Sequence, residues 1–176
     1  MEVKFTPWRM AYIKQSEGQT PISTDDEQCV LCALHLAPVT DDLTNLVLYR
    51  GNTCYVVMNL YPYNSGHLMV VSYQHTADLA QLDVICANEL FHLSQQCVHI
   101  LTEAFHPHGF NLGMNLGRTA GAGIADHLHM HIVPRWNGDT NFMPLVGGTK
   151  LIPVELQETY AQLRPHFDQL PSTSTT

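Results

Sequence analysis

Positive charge is scarce in this sequence: 8 Lys+Arg stand against 16 Asp+Glu, for a net charge of −8. That balance excludes a protein that grips nucleic acid through a broad basic face. It leaves room for a small anionic ligand in a local pocket. Long apolar runs are missing as well, and none approaches the roughly 20 residues that a membrane helix needs. The opening Met1-Glu2-Val3-Lys4-Phe5 lacks the apolar stretch of a secretory signal. A cytoplasmic protein with neither membrane nor nucleic-acid partners is therefore expected. There is no internal repeat. The 5 cysteines are odd in number, and in a reducing compartment they read as thiols or metal ligands rather than a disulfide framework. A length of 176 residues suits one domain, and folding at this size buries about 70% of the chain's surface.

What the chain has in excess is histidine, 11 in all. Its segments organise as follows. Residues 1–28 read as an N-terminal arm in which Trp8, Met10, Tyr12 and Ile13 could pack on a core while 16–27 is polar. A short apolar segment follows over 29–36. Strands are expected over 45–50, 54–60 and 68–73, with a Gly51-Asn52 turn and a Tyr61-Pro62-Tyr63-Asn64-Ser65-Gly66 loop between them. Leu79, Leu82, Cys86, Leu90, Leu93, Cys97 and Leu101 recur every three or four residues, which predicts a long helix over 77–105 with Cys86 and Cys97 as core thiols. Two more strands, 110–116 and 127–133, flank a Gly-rich loop. Leu156, Tyr160, Leu163 and Phe167 share one face of a short final helix. The domain then spans 29–170, and the Ser/Thr-rich 171–176 reads as a disordered tail. Strands in succession around one long helix predict an α+β fold with a mainly antiparallel, five-stranded sheet.

Chemistry concentrates at His127-Leu128-His129-Met130-His131-Ile132-Val133. In a strand, alternation would put the three imidazoles on one face. The loop Gly117-Arg118-Thr119-Ala120-Gly121-Ala122-Gly123 leads into it, and its glycines let backbone N–H groups converge on an anion. A phosphate fits such a setting. Nucleophilic attack on phosphorus needs an imidazole that is neutral at the attacking nitrogen, with its other nitrogen's proton held by a fixed acceptor such as a carbonyl. The rest is position and charge neutralisation. Cys29-Val30-Leu31-Cys32 is a C-x-x-C pair. It is half of a tetrahedral zinc site, a redox pair or two buried thiols, and the redox reading lacks its βαβ context.

The run H-L-H-M-H-I-V, with Asn59-Leu60-Tyr61-Pro62-Tyr63-Asn64-Ser65-Gly66-His67-Leu68 upstream, resembles the histidine triad superfamily of nucleotidyl hydrolases and transferases. Pro134-Arg135-Trp136-Asn137-Gly138-Asp139-Thr140-Asn141-Phe142 and Pro7-Trp8-Arg9 resemble its branch of bacterial diadenosine tetraphosphate phosphorylases and related hydrolases. The resemblance implies that His129 is the nucleophile, that His131 contacts the phosphate or leaving group, and that His67 supports the nucleophilic strand. It implies that Asn59 contacts the ribose, Asn115 binds phosphate, and Ala122, Gly123 and Ile124 line the α-phosphate. It further implies a homodimer whose sheets abut, and a structural zinc in which His75 and His127 complete the Cys29/Cys32 pair. His35 remains a rival for the third ligand. Cys54 is assigned to packing.

Three other functions compete. His127, His129 and His131 could hold a catalytic metal, although the C-x-x-C pair and the Gly loop would then be idle. A nucleotide sensor with weak turnover and a nucleoside phosphoramidase are the other two. Arg9, Arg118, Arg135 and Lys150 are the cations near suggestive segments. So few cations leave much of a polyphosphate's neutralisation to backbone N–H groups and to Mg²⁺ carried on the substrate.

Overall fold

The computed structural model describes residues 29–139 and 155–171. The expected arm over 1–28, the stretch 140–154 with Phe142 and Lys150, and the end of the tail at 172–176 lie outside the described residues. The elements are α1 (Val30–Leu36), α2 (Asp42–Asn45), β1 (Val47–Arg50), β2 (Cys54–Met58), β3 (Leu68–Ser72), α3 (Val84–Phe105), β4 (Gly109–Gly113), β5 (His129–Arg135) and α4 (Leu156–Phe167). The five strands form one sheet in the order β1-β2-β3-β5-β4, and every neighbouring pair is antiparallel. This is the α+β architecture that the pattern predicts. No helix among the described residues is long and apolar enough to cross a membrane.

β2 and β3 are buried along their whole length because both faces of the sheet are covered. Cys54, Val56, Met58, Leu68, Val70 and Ile132 face a core shared with Leu90, Leu93, Cys97 and Leu101 of α3 and with Tyr160, Leu163 and Phe167 of α4. Tyr55, Val57, Met69 and Val71 face the other way, onto Cys29, Leu31 and Cys32 around α1. Period-two alternation thus puts α3 and α4 on one face, and α1 with the histidines of β5 on the other. All five cysteines are buried, and none is in a disulfide. Cys97 sits wholly in the core, and Cys54 Sγ lies 3.6 Å from Cys86 Sγ. Burial, acting first, raises the thiol pKa of all three, as inert packing thiols require.

Several boundaries differ from expectation, each for a local reason. The long helix begins at Val84 rather than 77, because Asp83 is extended (φ −65°, ψ 156°) and its carboxylate caps the Ile85 and Cys86 N–H groups. Leu79 falls in a separate 3₁₀ turn, Leu79–Gln81, capped by Asp78, and is exposed. β1 starts at Val47 after a left-handed Leu46 (φ 59°) that closes α2. β2 stops at Met58 and β4 at Gly113. β5 is displaced by two residues at both ends: it opens at His129 and runs through Pro134 to Arg135. His127 therefore lies outside the strand, and the picture of three imidazoles on one strand face holds only for His129 and His131.

Arg50, at the end of β1, ties α1 to the sheet. Its guanidinium donates to the carbonyls of Leu34 (3.1 Å), His35 (2.6 Å) and Ala37 (3.1 Å), and to Asp42 Oδ1 at 2.7 Å. These carbonyls are the ones a helix C-terminus leaves without intrahelical donors. The Arg50 and Asp42 side chains are only 19% and 6% exposed, and removing Arg50 leaves the buried carboxylate with only the longer contact to Arg164 at 3.7 Å. Arg50→Ala is expected to lower the unfolding free energy by about 3–5 kcal/mol, measured by urea titration. A loss within experimental error would show that α1 is held by apolar contacts alone.

Candidate functional site

The site assembles at the end of the sheet where β3 and β5 meet. β3 pairs with β5 so that Met69 faces His131 and Val71 faces His129. His67 directly precedes β3, on the same face as His131. Gly66 makes the turn into that position at φ 72°, and a Cβ there would meet Leu101 at 3.0 Å and Phe105 at 3.2 Å. A side chain would therefore be both strained and crowded.

Hydrogen bonding assigns the proton on each ring. His129 Nδ1 lies 2.8 Å from the His127 carbonyl. A carbonyl only accepts, so Nδ1 carries the proton and Nε2 keeps its lone pair. Two donors approach His67 Nδ1: the Tyr63 N–H at 3.0 Å and the Asn59 amide at 3.4 Å. Asn59 is oriented by the Tyr61 N–H, which donates to its Oδ1 at 2.9 Å. His67 Nδ1 is therefore unprotonated, and its Nε2–H donates to His131 Nδ1 at 3.0 Å. That leaves the His131 proton on Nε2. The His129 and His131 rings stand edge to face with centroids 4.8 Å apart. Among the described residues, the result is one imidazole whose Nε2 lone pair meets no donor beside another whose Nε2–H meets no acceptor.

Burial, the leading cause, pushes the His131 pKa down to about 4 and lowers that of His129 too; the neighbouring imidazole adds to the first shift and the carbonyl bond opposes the second. His129 is buried.

His127 turns away from this pair. Its Nε2–H donates to the Ser72 carbonyl at 2.8 Å, and Nδ1 faces Cys29 Sγ and Cys32 Sγ, each at 3.4 Å. His75 Nδ1 is 3.1 Å from Cys32 Sγ. The ligand atoms of Cys29, Cys32, His75 and His127 all lie within 4.8 Å of one another. This Cys₂His₂ group could hold a metal ion: it offers two sulfurs and two imidazole nitrogens, the donor set of closed tetrahedral sites. His35 is not among the four. It lies against Tyr73, the two rings tilted by 45° with centroids 4.9 Å apart. The three triad histidines do not converge on a shared metal, because Nδ1 of His127, His129 and His131 point respectively to the cysteines, the His127 carbonyl and His67.

The Gly-rich loop carries a 3₁₀ turn at Arg118–Ala120, with Gly117 and Gly121 at positive φ. Ala120 and Ala122 donate to the Gly117 carbonyl, and Gly121 to that of Arg118. The Ala122 amide is thus engaged inside the loop. The Gly123 and Ile124 amides, by contrast, make no backbone hydrogen bond among the described residues and can face an anion. Ile124 packs against the α1-side core. Asn115 follows β4 and is half-buried. Arg135 is not available to a phosphate: Asp139 holds it at 2.6 and 2.8 Å, and it donates to Asn111 at 2.7 Å. Sequence reading did not single out Ser72, Tyr63, Asn64 or Asp139. The first two act through backbone groups, which leave no side-chain signal, whereas Asn64 and Asp139 stand inside the segments that carry the family resemblance.

The "HIT domain" family model matches residues 40–138. An AP-4-A phosphorylase of Mycobacterium tuberculosis is 40% identical over 169 residues, 95% of this chain and 85% of that protein. An adenosine 5′-monophosphoramidase of Schizosaccharomyces pombe is 29% identical over 110 residues, 62% of this chain and 75% of that one. A Zn-bound histidine triad family protein from Mycobacterium smegmatis superposes with a TM-score of 0.66 at 25% identity, covering 83% of this chain and 97% of that one.

The depressed His131 pKa carries a stability signature. Above pH 6.5 the imidazole is neutral folded and unfolded alike. Below it the unfolded chain binds the proton first, at the ordinary value of 6.5 against about 4 when folded, so stability falls as pH drops between those values. The urea midpoint is expected to decline through that window, and to decline less steeply in His131→Asn. Parallel slopes for the two proteins would contradict the assignment.

Proposed function

This chain belongs to the HIT domain family, and we propose that it is an enzyme that cleaves dinucleoside polyphosphates, diadenosine tetraphosphate first among them, at the α-phosphorus through a covalent nucleotidyl-histidine on His129. The observation that carries this reading is the 2.8 Å bond from His129 Nδ1 to the His127 carbonyl, which leaves a neutral imidazole with its Nε2 lone pair free. That nitrogen attacks the α-phosphorus; an N–P bond forms, and the P–O bond to the remaining phosphates breaks. From diadenosine tetraphosphate the leaving group is ATP. An oxygen of the second acceptor then attacks the same phosphorus and breaks the N–P bond. Inorganic phosphate gives ADP, and water gives AMP. His131 Nε2–H donates to the phosphate chain near the departing oxygen, and His67 holds it in that tautomer. Asn59 and Asn115 bind ribose and phosphate, while the Gly123 and Ile124 amides of the loop at Ala122 meet the α-phosphate. Mg²⁺ on the substrate's phosphates shares in the neutralisation.

The phosphoramidase reading is weaker. The monophosphoramidase relative aligns with 62% of this chain, whereas the phosphorylase relative aligns with 95%. The catalytic unit is 29–170, with 1–28 as an arm and 171–176 as a tail. A homodimer would join through the outer strand β4, whose Asn111, Leu112 and Gly113 are exposed. The location is the cytoplasm, where five thiols outside any disulfide stay reduced.

Cys29, Cys32, His75 and His127 would hold Zn²⁺. The donor set suits it, and the Ser72 carbonyl keeps the His127 Nδ1 lone pair available. With four protein ligands the ion would be structural, tying α1 to the entrance of β5. Protein purified without chelator is expected to contain close to one zinc per chain by plasma emission spectrometry. Cys32→Ser should lose the metal and unfold at a lower temperature; retention of full zinc would move the site elsewhere.

The deciding assay follows products from diadenosine tetraphosphate with and without phosphate, for the wild type and His129→Ala. ADP plus ATP formed only with phosphate identifies a phosphorylase. AMP plus ATP without phosphate identifies a hydrolase. Cleavage of a nucleoside phosphoramidate alone would favour the phosphoramidase, and tight nucleotide binding with no turnover a sensor. Activity persisting in His129→Ala would remove the covalent step.

A further inference from the structure

Asp139 has no part in the chemistry above, yet its contacts lead to the histidines. Its side chain is 9% exposed and accepts four hydrogen bonds. Oδ2 takes Arg135 Nε at 2.6 Å, Asn64 Nδ2 at 2.8 Å and the Trp136 N–H at 3.1 Å, and Oδ1 takes the other arm of Arg135 at 2.8 Å. The Arg135 guanidinium holds this carboxyl down to about 2, so the anion is always present. Asn64 also donates to the Pro134 carbonyl at 3.0 Å. Its side chain is thereby clamped between the end of β5 and the turn that follows. Asn64 belongs to the loop before β3. Its carbonyl accepts the His67 N–H at 3.1 Å, and the residue before it, Tyr63, supplies the amide on His67 Nδ1. Tyr63 also stacks on His67, with ring centroids 4.8 Å apart.

We propose, building on the role given to His131 above, that Asp139 is a positioning residue: by clamping Asn64 it holds the Tyr63 amide against His67 and so sets the tautomers of His67 and His131. The consequence of releasing the clamp follows from proton counting. If the Tyr63 N–H withdraws, only the longer Asn59 contact at 3.4 Å still opposes a proton on His67 Nδ1, and His67 can carry its proton there and accept at Nε2. His131 must then donate from Nδ1 to keep their hydrogen bond, which leaves a lone pair at its Nε2. That lone pair would meet the phosphate oxygens in place of an N–H, and an attraction becomes a repulsion.

The test uses the full chain with ¹⁵N-labelled histidine, in three variants: Asn64→Ala, Asp139→Asn and the double. Asp139→Asn conserves volume, and so keeps the test open if Asn64→Ala fails to fold. In the wild type, His67 and His131 are expected to show protonated Nε2 and unprotonated Nδ1. In the variants both tautomers should be populated at both rings. With diadenosine tetraphosphate, kcat should fall roughly 10- to 100-fold while KM changes far less. The double variant should be no slower than Asn64→Ala, because both changes cut one tie. Wild-type tautomers in the folded variants, or losses that multiply in the double, would overturn the assignment. A wild type that cleaves no dinucleoside polyphosphate would sink the substrate reading instead, and the nitrogen spectra would still decide the role of Asp139.

Discussion

A neutral imidazole has two nitrogens and one proton, and this site depends on where that proton sits on each ring. Backbone groups make the choice at three of them. The His127 carbonyl takes the His129 proton, the Ser72 carbonyl takes the His127 proton, and the Tyr63 amide excludes a proton from His67 Nδ1. A backbone group does not titrate, so each assignment is as firm as the segment that presents it. His131 then inherits its tautomer from His67 at 3.0 Å. The same arrangement couples the two centres. The carbonyl that orients His129 belongs to His127, whose ring faces Cys29 and Cys32, so an ion held there would stiffen the peptide that orients the His129 ring.

The sheet makes this possible by dividing its faces. The core against α3 and α4 holds three of the five cysteines and the bulk of the leucines. It keeps β2 and β3 fixed on one side. That leaves the other face free to carry polar chemistry on its outer part, with Val57, Met69 and Val71 as an apolar floor. The low dielectric of that floor is also what lowers the His131 pKa. Burial therefore serves the chemistry directly, since a protonated ring could neither attack nor accept from His67.

The sequence made the architecture legible wherever periodicity was strong. The three-and-four spacing of apolar residues in α3, the β-former-rich runs of β2 and β3, and the face shared by Tyr160, Leu163 and Phe167 all correspond to real elements. Boundaries were harder to read where a single cap or a left-handed residue decided them, as at Asp83 and Leu46. Hydrophobic pattern does not encode those choices. His127 shows the sharper limit. Alternation alone puts it with His129 and His131, whereas the family resemblance implies a ligand beside Cys29 and Cys32; the pairing of β3 with β5, which begins at His129, shows how its ring turns toward the cysteines. Tyr63 and Ser72 act through main-chain atoms, so no residue type could have marked them.

Charge separates what this site can do from what it must avoid. Four cations fall among the described residues, and each is paired with a carboxylate: Arg50 with Asp42, Arg135 with Asp139, Arg164 with Asp168, and Arg118 with Asp126 at 3.8 Å. The first three are tight and serve the fold. Arg118, on the Gly-rich loop, is the loosely paired and exposed one. Neutral donors must therefore carry most of the stabilisation on the described part of the site. Phosphoryl transfer tolerates this when the transition state is loose, because negative charge then builds on the departing oxygen more than on the attacked phosphorus. A single well-aimed N–H at that oxygen matters more than a ring of cations around the substrate. The tautomer of His131, rather than net charge, is thus the quantity the fold has to control.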